Sequence, residues 1–98
     1  MIDVREYILL VMKKKHMSRS DLLKKLNEIE EKIGDSRSNL QNITNYLNGY
    51  NEFGPKLLVR YEKALNLPLG TLVNMISRPV TKESQKELKE IIEKVGKL

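Results

Sequence analysis

Apolar residues recur at spacings of three and four along most of the chain, and the interruptions fall where helix-stopping residues stand. Val4, Ile8, Val11 and Met12 form the first stripe. Asp3 opens it with Glu6 three residues on, a capping-box pattern, and Lys13, Lys14 and Lys15 close it against the negative end of the helix dipole. Ser18 with Asp21 opens a second stripe, Leu22, Leu23, Leu26, Ile29 and Ile33, which runs as far as Gly34. Glu28, Glu30, Glu31 and Lys32 offer no turn chemistry, so one unbroken helix is expected here rather than two meeting at Asn27. After the loop Gly34-Asp35-Ser36 comes a short third helix. Leu40, Ile43 and Leu47 share its inner side, Ser38 or Asn39 caps it, and Asn48-Gly49 ends it. Pro55 suits the first position of a fourth helix, with Leu58, Tyr61 and Leu65 facing in, Leu57 and Ala64 beside them, and Asn66 at its end. Leu69, Leu72, Val73 and Ile76 predict a fifth, stopped by Arg78-Pro79. From Thr81 a last amphipathic helix carries Leu88, Ile91, Ile92, Val95 and Leu98 on one stripe. No alternating pattern competes as a strand.

The outer side of the third helix is unusual. Asn42 and Asn45 lie opposite its apolar side, with Gln41 and Thr44 on the flanks. Amides donate and accept at once, which is what the edge of a base pair requires, adenine above all.

Composition narrows the classes. A chain of 98 residues suits one domain with an appendage, here divided as 1–78 and 79–98. The absence of Cys removes disulfides and thiolate metal sites and agrees with a cytoplasmic setting. No apolar run approaches the ~20 residues of a membrane span, and the apolar stretch at 7–12 is too short for a secretory core. His16 reads as a solvated linker residue, with nothing nearby to complete a metal site. Of the net charge of +5, the larger share falls in residues 36–80, which hold five basic and two acidic groups. That bias around the amide-bearing helix suits a polyanionic partner.

The run from Met17 to Ile76 resembles the Cro/C1-type (XRE-like) helix-turn-helix repressors. The matching pieces are SRSDLLKKL for the supporting helix, NLQNITNYLNG for the recognition helix, and LLVRYEKALNLPLGTLVNM for the two helices behind it. The resemblance implies an all-α fold, a five-helix helix-turn-helix bundle, to which this chain adds its C-terminal amphipathic helix. It implies that helix 39–48 lies in the major groove of double-stranded DNA. Gln41, Asn42 and Asn45 then fall where the family reads bases. Arg19 falls at a phosphate contact and Asn39 at the helix cap, where it can meet a phosphate; Arg37, Ser38 and Tyr50 are further candidates for the backbone. Tyr46 is expected to pack. Three departures stand out: Leu40 where the family often has a polar residue, Leu47 in place of the Glu common before Asn-Gly, and extra residues between Leu22 and Asn39. The longer second helix could alter how the third is presented, or lie beside DNA with Lys24, Lys25 and Lys32 near the backbone.

The expected function is therefore a sequence-specific DNA-binding transcriptional regulator, a repressor of the kind found in phage, plasmids and mobile elements. The resemblance implies a homodimer on inverted repeats, and Leu88, Ile91, Ile92 and Val95 are the candidate dimer surface. A stripe that packs on its own domain is the other reading of those residues. The competing function is a protein-binding module on the same scaffold, such as an antirepressor, an antitoxin or an inhibitor of a host factor. No enzyme, cofactor, metal or small-molecule substrate is expected: one His, no phosphate-cradling glycine loop and no carboxylate pair on an apolar face leave nothing to carry catalysis.

Overall fold

The computed structural model describes residues 3–34, 37–76 and 82–97. In order these form α1 (Val4–Lys14), α2 (Arg19–Ile33), α3 (Leu40–Leu47), α4 (Pro55–Ala64), a 3-10 turn (Val73–Met75) and α5 (Lys82–Gly96). Over the described residues the fold is all-α, a bundle of five α-helices.

The first three helices each start on a side-chain cap, and α4 starts on Pro55 after Gly54 without one. Asp3 accepts from the Glu6 N–H at 2.8 Å, and Ser18 and Asp21 exchange bonds at 3.1 and 3.0 Å. That exchange holds the Asp21 carboxyl below its ordinary pKa, first through the Ser18 backbone N–H and then through its hydroxyl. Three ends share one device. His16, Gly49 and Asn66 turn left-handed, with φ of 53°, 85° and 58°. The next N–H then reaches back over the last turn, Met17 to Met12, Tyr50 to Asn45 and Leu67 to Glu62. His16 is exposed and works as a helix terminator.

The second helix is unbroken over its 15 residues and ends on Gly34 at φ 74°. The core is drawn from every helix: Ile8 and Met12, Leu22, Leu26 and Ile29, Ile43 and Leu47, Leu58, Tyr61 and Leu65, Ile91 and Val95. Tyr46, half-buried, stacks on Phe53 with centroids 5.0 Å apart, and Phe53 meets Tyr61 edge-on at 5.1 Å. Tyr46 therefore packs, as expected. Tyr61 is almost fully enclosed, and that burial, with Tyr46 and Glu30 nearby, raises its phenol pKa well above the ordinary value.

Two expectations are corrected. The fifth helix expected over Leu69–Ile76 is a set of turns and one 3-10 turn. Gly70 sits at φ 98°, and the buried Glu62 carboxylate accepts the N–H groups of Gly70, Leu72 and Val73, which an α-helix would leave for its own carbonyls or for water. Leu40, expected inside, is 46% exposed. It is the first residue of an eight-residue helix, and only Ile43 and Leu47 reach the core from that side. Of the two readings of the C-terminal stripe, packing on its own domain is the one seen here: Ile91 and Val95 are buried against α4 and α2, and Ile92 is half-buried beside them. A radius of gyration of 12.7 Å agrees with α5 folded back, since a compact chain of about 100 residues has about 13 Å. The side chain of Leu88 lies outside the described residues, as do Asp35, Ser36, Arg78, Pro79, Thr81 and Leu98.

Candidate nucleic-acid interface

The outward side of α3 is built in two steps. Ile43 and Leu47 fix one side against the core, which forces Gln41, Asn42 and Asn45 to the other. Asn39 then caps the helix, its side chain accepting from the Asn42 N–H at 2.8 Å. Gln41 and Asn42 are exposed and Asn45 is half-exposed. One turn apart, the Gln41 Nε2 donates to Asn45 Oδ1 at 3.0 Å. That bond aligns the two amides and leaves Gln41 Oε1 to accept and Asn45 Nδ2 to donate.

The helix itself has no charged residue, so its field comes from its neighbours. Arg19, at the first position of α2, lays its guanidinium over α3, with Nη1 donating to Thr44 Oγ1 at 3.4 Å and Nη2 to Asn48 Oδ1 at 3.2 Å. Next to the N-terminal half of α3 is a hollow of about 350 Å³ lined by Arg37, Asn42, Lys56 and Arg60, with the buried Glu30 also on its wall. Arg37 pairs with Glu31 at 3.3 Å, and both are well exposed, so the pair is weak. Tyr50 follows α3 and is 79% exposed.

Ser38 has a different role from the one expected. Its N–H and its hydroxyl both donate to the Glu30 carboxylate, at 2.7 Å each, and the same carboxylate takes Arg60 Nη1 at 2.9 Å. Glu30 has no exposed surface. The residue just before the α3 cap is thus tied to α2 and, through the Glu30 carboxylate, to α4, which sets where the helix begins. Ser38 is held inside this cluster and does not offer its hydroxyl outward. Of the remaining candidates, Arg19, Arg37, Asn39 and Tyr50 surround α3, as the sequence suggested, whereas two of the α2 lysines do not. Lys25 and Lys32 line a separate hollow with Lys63, at the opposite end of α4.

Sequence reasoning missed Glu30, Lys56 and Arg60. A signal for Glu30 was present: it stands four residues after Leu26 and three before Ile33, in register with the buried stripe. Among the described residues no helix is long and apolar enough to cross a membrane. Comparison with protein-family models, with characterised proteins and with solved structures finds no match to this chain.

Proposed function

We propose that this protein is a sequence-specific reader of double-stranded DNA that regulates transcription, with α3 in the major groove. The observation that carries the reading is an aligned amide pair, exposed Gln41 and half-exposed Asn45, on an uncharged helix bordered by Arg19, Arg37 and Lys56. Amides at that spacing match the donor and acceptor of an adenine edge, and Asn42 extends the same surface. Arg19, Arg37 and Lys56 beside the helix suit the phosphates on either side of the groove. The resemblance to Cro/C1-type repressors points the same way. Use as a protein-binding module is the second reading, favoured by the exposed Leu40 and Tyr50.

The test is a selection from random duplexes followed by titration of the winner and of a scrambled duplex. Asn45→Ala is expected to lose ~1–3 kcal/mol on the selected site and little on the scrambled one. Binding to the scrambled duplex should fall with salt, with a slope of about −0.9 per phosphate neutralised. Equal weakening on both duplexes would overturn base readout by the amides. A protein that selects no duplex and shows no salt-dependent binding would leave the second reading.

A further inference from the structure

The outer face of α1 leaves two adjacent leucines, Leu9 and Leu10, exposed. We infer that two copies of this chain pair through the outer face of α1, antiparallel, about a twofold axis between Leu9 and Leu10. This assignment stands apart from the DNA reading and needs none of its residues.

The outer face of α1 is made of Glu6, Leu9, Leu10, Lys13 and Lys14. Leu9 is 39% exposed and Leu10 53%, adjacent large apolar residues on a helix whose other side is filled by Ile8 and Met12. Along the axis the face reads acid, then apolar, then base. That order is its own complement when a second copy runs the other way. An axis between residues 9 and 10 sets Leu9 of one copy against Leu10 of the other, and Glu6 against Lys13, twice over. Isologous contact requires this reciprocity, because each residue must meet a partner from the same patch. Arg5 and Lys14 would also be numbered to meet, but Arg5 is turned away, with its guanidinium against Gly49 and 3.9 Å from Asp3. A foreign partner has no reason to demand a sequence that complements itself, and so the second copy is the occupant.

The contact is small. Each α1 has 11 residues, about 16 Å of helix, and a single helix pair falls short of the ~1,200 Å² buried in stable complexes. The pair is weak and belongs to high protein concentration or to two copies held close together.

The experiment is sedimentation equilibrium of the full chain up to millimolar concentration. Wild type should approach twice the chain mass. Glu6→Lys alone and Lys13→Glu alone should each raise the dissociation constant at least tenfold, because each opposes like charges across the axis. An equimolar mixture of the two variants should restore dimers to near wild-type strength, since every charge on one then faces its opposite on the other. Leu10→Ser, at an exposed position and without any change in charge, gives the same loss and covers the case in which Glu6→Lys disturbs the first turn of α1. Far-UV circular dichroism confirms that the variants fold. A wild-type chain that stays monomeric overturns the inference, and so does a mixture no more associated than its separate components.

Discussion

Removing the Glu30 carboxylate tests both the stability of the bundle and the placement of α3. The group has no exposed surface and takes three donors, the Ser38 N–H, the Ser38 hydroxyl and Arg60 Nη1, at 2.7, 2.7 and 2.9 Å. The Arg60 side chain is itself only 14% exposed. Hydrogen bonds to an ionised group contribute ~1.5–3 kcal/mol each, but three on one carboxylate share a single desolvation cost and do not add. Breaking a buried pair from one side costs ~3–5 kcal/mol, and that is the expected loss for Glu30→Ala. A domain of this length is stable by only ~5–15 kcal/mol, so the variant should lose a third or more of its stability. Glu30→Gln keeps the shape and one accepting oxygen and should cost less, ~1–3 kcal/mol. The assay is urea unfolding followed by far-UV circular dichroism, with the midpoint falling and the slope unchanged. Glu30→Leu with Arg60→Met removes both charges and should recover part of the loss, because no lone charge stays buried. Glu30→Ala within about 1 kcal/mol of wild type would refute the account, since buried ion pairs cost far more than that to break from one side.

Two further outcomes follow from the backbone and from Tyr61. Gly49→Ala should destabilise by ~1–2 kcal/mol, because φ of 85° is strained for any L side chain and the new methyl also meets the Arg5 guanidinium; adding Arg5→Ala should relieve only the contact, and full rescue in a thermal melt would show that the dihedral is not the cost. Tyr61 has a phenol pKa raised above the value of 10.0 it takes when unfolded, so its contribution to stability is complete below pH 10 and is lost as pH climbs from there towards the folded pKa. Unfolding free energy should therefore fall by up to ~1.4 kcal/mol per pH unit on the alkaline side from this group alone, and Tyr61→Phe should flatten that limb; an unchanged slope would mean the hydroxyl reaches solvent.

The periodicity of apolar residues carried the five α-helices because each has a stripe long enough to fix its face and an end marked by a special residue. It failed where a polar residue took over a structural task. Glu30 and Glu62 both stand in the register of a buried stripe, four residues after Leu26 and Leu58 and three before Ile33 and Leu65. Read by chemistry alone, an acid on a helix goes to water. Read by position, each of these points inward, and an ion at such a place must find donors within reach. Glu62 finds them in the N–H groups of Gly70, Leu72 and Val73, and for that reason the stretch read as a fifth helix became turns. Glu30 finds them in Ser38 and Arg60, which lie eight and thirty residues away along the chain. Side-chain polarity sets the sign of the transfer energy, but the helical register decides whether the transfer is made. The amide face of α3 was legible for the converse reason. Gln41, Asn42 and Asn45 are polar and also out of register with Ile43 and Leu47, so chemistry and position agree that they face outward. Leu40 satisfied neither test cleanly: its spacing matched the stripe, yet one turn of helix beyond the core has nothing to cover it, and length overrode register. The same logic holds Ile91 and Val95 in the interior. An amphipathic stripe states only that a helix needs an apolar neighbour, and α4 and α2 are nearer to α5 than any second chain can be.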